Sequence, residues 1–280
     1  MTVCCSGVWL SFVGMAMQMW AEQSSNIREN VVRETEDSMI VFQRADGRVL
    51  TMGEIQDVGP VRWDLIGASH VPAEAQALHE RGRLAGSSGE YEHAVALFTE
   101  ACELAPAWPY PVYDRAFTRL LAHDVDGARA DYRRTVDLAP RGFFTAITAL
   151  DTLVREQKGE LPGGTYLAYL SLEWTSDRAR KRELVHQIVE RAPRFAPGWK
   201  ELALLADQGP ERLRSIDTGL TAEPDVETKG MLMINKALTL YHQGDRESAV
   251  RLLGELALDP ASTLATEHLS KAMLAKIVKQ

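Results

Sequence analysis

Glu103-Leu104-Ala105-Pro106 and Asp137-Leu138-Ala139-Pro140 are near-copies of one another, and their prolines stand 140 − 106 = 34 residues apart. The landmarks between them recur at the same offset: Gly82 with Ala116, Ala94 with Ala128, Phe98 with Tyr132. A fixed period of this length marks a stack of repeated units, none of which can bury its apolar face alone. Each unit reads as a helix–turn–helix. Tyr91 and Phe98 are seven apart and share one helical face. Gly86-Ser87-Ser88-Gly89 ends one helix and opens the next. Pro106 and Pro140 cannot continue a helix and set the unit boundaries.

With Ala75 as position 1, the small residues fall at positions 8, 20 and 27 (Gly82, Ala94, Ala101). The turn glycine is Gly89, the large residues at 17 and 24 are Tyr91 and Phe98, and the closing proline is Pro106. This stretch resembles the tetratricopeptide repeat. Leu78 stands where that family often has tryptophan. In the second repeat His123 replaces the turn glycine, Val125 the aromatic at position 17, and Thr135 the third small residue. Arg81 and Arg115 both fall at position 7, each after an acid.

Beyond Pro140 the period weakens. Helices are expected over 143–157, 165–174, 177–191, 199–206, 211–220, 229–242, 247–258 and 264–278. Gly244, Ala249 and Pro260 restore the spacing in the last full unit. Leu264 to Val278, with Lys271, Lys276 and Lys279, resembles the solvating helix that closes such arrays. The expected fold class is therefore mainly α, an α-α superhelical solenoid of tetratricopeptide-like hairpins over 71–280.

Ahead of the repeats, Met39-Ile40-Val41-Phe42 reads as a strand, Ala45-Asp46-Gly47 as a hairpin turn, and Arg48-Val49-Leu50 as the return. Val61 to Ile66 alternates like a third strand. Residues 38–70 are thus expected to form a small β-containing N-terminal cap over the exposed end of the first repeat; a recognition module with its own ligand is the other reading. Residues 1–37 read as an apolar extension followed by a polar linker. Met1 to Ala21 carries no charged side chain, yet no Lys or Arg precedes the apolar run and Ser11, Gly14 and Gln18 interrupt it. A cytoplasmic protein is expected. Export, or membrane association through residues 8–20, stays open.

Composition narrows the function. A net charge of −8 speaks against a nucleic-acid partner. Three cysteines, two of them adjacent, do not make a disulfide framework. There is no phosphate-binding glycine loop. His79-Glu80 begins like a zinc-protease helix, but Arg83 occupies the second histidine's place. No enzyme activity, metal or cofactor is expected. Arg178, Arg180, Lys181 and Arg182 read as a solvated helix face.

The resemblance implies a non-catalytic protein-interaction scaffold, with a peptide or helix lying along a concave face built from positions 2, 5, 9 and 12 of each first helix. Those positions are Gln76, His79, Arg83 and Gly86, then Tyr110, Tyr113, Phe117 and Leu120. His79, Arg83, Tyr110, Tyr113 and Phe117 are the candidate contacts. The other reading of the aromatics is packing against the next helix. Chaperone-binding members hold a carboxylate where this chain has His79, Arg83 and Asp114, and an acid at Asp114 would repel it. Self-association remains an alternative.

Overall fold

The structure is a computed structural model that describes residues 30–32, 42–44, 61–63, 71–207 and 209–279. The chain divides into two compact units, residues 1–144 and 145–280. The region expected as one domain over 71–280 is thus shared between them.

In the first unit, three short strands precede the helices: β1 (Asn30–Val32), β2 (Phe42–Arg44) and β3 (Val61–Trp63), in the order β2-β1-β3. Here the chain departs from expectation. β2 pairs antiparallel with β1, a stretch read as linker, and β3 runs parallel to β1. The expected return strand at 48–50 lies outside the described residues, as does the apolar segment 8–20. Strands of three residues supply too little paired surface to be stable alone, so their existence does not by itself make a cap.

Four helices follow: α1 (Ala73–Ser87), α2 (Tyr91–Leu104), α3 (Pro109–Leu121) and α4 (Val125–Leu138). They form the two hairpins whose landmarks recur every 34 residues. Gly82 explains the close crossing of α1 and α2: a Cβ there would lie 2.6 Å from Phe98 Cε1. Leu78, Ala94, Leu97, Phe98 and Ala101 close a core around that crossing. Gly89 has φ +80, the left-handed turn that ends α1. In the second repeat His123 takes the same conformation, φ 64, so the departure from glycine is a change of residue and not of backbone. Asp124 then caps α4 by accepting a hydrogen bond from the Gly127 N–H at 2.9 Å.

The two hairpins differ inside. At the position of Leu97, the second repeat carries Asp131, 97 + 34 = 131. Arg115 meets it with a two-pronged ion pair, Nε to Oδ2 at 2.8 Å and Nη2 to Oδ1 at 2.7 Å, and donates from Nη1 to Thr99 Oγ1 at 3.0 Å. Arg119 adds a contact from Nη1 to Asp131 Oδ2 at 2.7 Å. Arg81, the first-repeat counterpart of Arg115, is exposed.

The second unit holds α5 (Ala146–Gln157), α6 (Thr165–Leu170), α7 (Arg178–Arg191), α8 (Ala196–Leu205), α9 (Pro210–Thr221), α10 (Val226–His242), α11 (Arg246–Leu258) and α12 (Leu264–Lys279). α5 begins three residues later than expected, because Gly142 and Phe144 have φ of 103 and 48 and cannot be helical. α8 begins three residues earlier than expected, since Pro197 lies in the first turn, where its missing N–H costs nothing. Asp177, Asp225 and Asp245 cap α7, α10 and α11. Ile234, Ala237, Ala249, Leu253, Leu256, Met273 and Ile277 form the core of the last three helices. Ion pairs Arg182–Glu211 and Arg194–Glu223 tie α7 and its end to α9 and its end. The basic run is mixed: Arg178 and Arg180 are exposed, Arg182 is half-buried, and Lys181 is buried. Among the described residues no helix is long and apolar enough to cross a membrane.

Candidate functional site

The expected contact residues are brought together on α1 and α3 of the first unit, but they divide by depth. His79 is buried, and its Nε2 lies 2.7 Å from Asp114 Oδ2. Phe98, Trp108 and Tyr110 surround its ring at centroid distances of 5.7, 4.9 and 6.1 Å. Arg83 approaches the same carboxylate, Nε to Oδ2 at 3.9 Å, with its side chain 40% exposed. Burial pushes the Asp114 carboxyl above its ordinary range, while the hydrogen bond and charge of His79, then Arg83, pull it back. Asp114 therefore faces these two partners from within the fold.

Tyr110, Tyr113 and Phe117 are part-buried along α3. Tyr110 packs edge-on against Phe143 at 4.9 Å and Phe144 at 5.7 Å. Tyr113 meets Tyr132, Phe143 and Phe144 at 5.7, 5.6 and 5.2 Å. Packing against the segment that follows the second repeat is thus part of what these rings do. Leu120 is in the core, and Gln76 is exposed with Nε2 donating to the Val71 carbonyl at 3.0 Å.

Sequence reading missed Trp108, Phe143 and Phe144. Phe144 is 40% exposed and holds φ 48, an uncommon conformation for a bulky side chain. A signal existed: 110 + 34 = 144, so Phe144 occupies the repeat position of Tyr110. The period was lost to view after Pro140 because the residues around it no longer match.

Cys102 is buried, and desolvation raises its thiol. Among the described residues no group of three or more His, Cys, Asp or Glu is placed to hold a metal.

No family profile and no curated protein matches the sequence. Solved structures do. YrrB, described as a TPR protein with an unusual peptide-binding site, is 15% identical over 75% of this chain and 98% of its own, with a TM-score of 0.30. TTC0263, a thermophilic TPR protein of Thermus thermophilus, is 18% identical over 74% and 100%, TM-score 0.31. The TPR2AB domain of yeast Sti1, in complex with pHSP90, is 16% identical over 74% and 87%, TM-score 0.33. The decisive observation is internal, the 34-residue recurrence of hairpins that cross at Gly82 and turn at Gly89 and His123. In that length, crossing and turn the hairpins resemble tetratricopeptide hairpins. Tetratricopeptide hairpins leave the reading of partner and activity to the residues on their surfaces.

Proposed function

We propose that this chain is a non-catalytic protein-interaction scaffold whose first unit holds a peptide or helix against an aromatic surface. Tyr110, Tyr113, Phe117 and Phe144 supply the surface, Arg83 the charged edge, and His79 with Asp114 the support beneath. The observation that carries this reading is Phe144, a large aromatic left 40% exposed at φ 48 beside two tyrosines. Residues held in sparsely populated backbone conformations gather at working sites, and aromatic and arginine side chains dominate interface energy. The ligand this favours has apolar anchors and one acidic group to meet Arg83. His79 acts by fixing Asp114, and through it Arg83, and does not itself reach the ligand.

The test compares capture of host proteins by the wild type with capture by Phe144→Gly and by Phe117→Ala/Arg83→Gln, each first shown by circular dichroism to keep its helix content. Partners lost by both variants are expected. Partners retained by both would remove this surface from the reading.

A further inference from the structure

Between α7 and α9 the second unit has an open groove of about 520 Å³, with Val189, Trp199 and Leu202 as its apolar lining. Close helix approach fixes that lining. A Cβ at Gly198 would lie 2.7 Å from Val189 Cγ1, and one at Gly219 would lie 3.0 Å from Trp199 Cβ. Trp199 Nε1 donates to the Pro193 carbonyl at 2.8 Å, which holds the indole in place. The ion pairs Arg182–Glu211 and Arg194–Glu223 link the two walls on either side of the lining. Two unlike charges stand exposed on the rim, Glu190 on α7 and Arg214 on α9.

The same unit carries a complementary feature on α11. Leu258 ends that helix 84% exposed, whereas Leu104, which also stands two residues before a closing proline, is 41% exposed. Arg251, Glu255 and Leu258 follow one another at helical i, i+4 and i+7 spacing and share a face. Arg251 and Glu255 are exposed. Among the described residues, Glu190, Arg214, Arg251 and Glu255 have no ion-pair partner. Gly254 lies on this face as well. Glycine weakens a helix interior, and at Gly198, Gly219 and Gly230 packing demands it, because a Cβ would come within 3.0 Å of another side chain. At Gly254 a Cβ would meet nothing within 4 Å, so no contact within the described residues accounts for the bare backbone there.

We infer that this chain self-associates head to tail, with Leu258 of one copy seated in the α7–α9 groove of the next. Leu258 covers Val189, Leu202 and the Trp199 ring. Glu255 meets Arg214, Arg251 meets Glu190, and Gly254 lets the groove wall come close to α11. The two charge pairs run in opposite senses and so fix the orientation of the contact. Knob and groove are different surfaces, so one contact leaves a knob and a groove unused and the assembly grows beyond a pair. This contact is separate from the aromatic surface of the first unit.

The experiment measures the mass of the full-length chain by sedimentation and light scattering from about 10 μM to about 1 mM, the range suited to a small contact. The wild-type mass should climb past twice the 31.1 kDa of one chain. Leu258→Ser and Arg214→Glu, both at exposed positions, should each weaken association about tenfold or more with the melting temperature unchanged. Arg214→Glu/Glu255→Arg should restore it. Gly254→Gln should raise the melting temperature, since glutamine is the better helix former, and still weaken association. A mixture of Leu258→Ser, which keeps the groove, with Arg214→Glu, which keeps the knob, should reach two chains and stop there. A wild type that stays at 31.1 kDa throughout would overturn the proposal. So would association that survives either single change or Gly254→Gln, a charge swap that fails to restore it, or a mixture that stays monomeric.

Discussion

Replacing Asp131 by leucine should damage the first unit far more than its chemistry alone suggests. Leucine is what the first repeat carries at the same position, Leu97, and there it is buried without trouble. The difference is Arg115, which is buried and makes two of its hydrogen bonds to Asp131 at 2.8 and 2.7 Å. Removing the carboxylate leaves a guanidinium in the core held by the neutral Thr99 hydroxyl in place of a charge. Breaking one side of a buried pair costs about 3–5 kcal/mol, whereas replacing both sides with apolar groups is often neutral. Asp131→Leu alone should therefore lose about 3–5 kcal/mol, and Asp131→Leu/Arg115→Met should recover most of it, because Arg119 can turn to Asp124, whose Oδ2 lies 3.6 Å from its Nε. Urea denaturation followed by hydrogen exchange at the α3 and α4 amides reads this unit apart from the other. Additive losses in the double variant, or a single-variant loss below about 1 kcal/mol, would refute the argument that the buried charge, and not the lost contact, carries the cost.

The other expectations are smaller or local. His123→Gly should stabilise the second hairpin by about 0.5–1 kcal/mol, since glycine occupies φ 64 without strain; a lower melting temperature would contradict it. Gly82→Val should cost about 1–3 kcal/mol, because the added atoms meet Phe98 at 2.6 Å, and near-ultraviolet circular dichroism should report the displaced ring. Burial, then the Glu201 charge, raises the Glu173 carboxyl to about 7, so the folded state holds a proton that the unfolded state releases above its ordinary value near 4.5. Stability should accordingly fall as pH rises through that window and flatten above about 7, and Glu173→Gln should remove this part of the slope in urea titrations. Deleting residues 1–70 should lower the melting temperature of the remainder if the strand segment covers the first repeat; an unchanged curve excludes the cap.

The sequence by itself determined the hairpins. A 34-residue recurrence of small residues and closing prolines requires paired helices, because those residues act through backbone geometry that is local to each unit. The helix caps at Asp124, Asp177, Asp225 and Asp245 are local too, each bonding an N–H two or three residues on. Tertiary structure decided the rest. His79 occupies a groove position by spacing, yet Asp114, 35 residues away, draws it inside. Arg81 and Arg115 are equivalent by period, but only the second has an acid across the hairpin to bury it. Glu227 reads as an ordinary acid in the first turn of a helix, yet the fold half-buries it and sets it against Thr148, 79 residues earlier, whose N–H it accepts at 2.9 Å. Depth and charge state depend on which side chains meet across helices, and that pairing is not written in the spacing along any one of them.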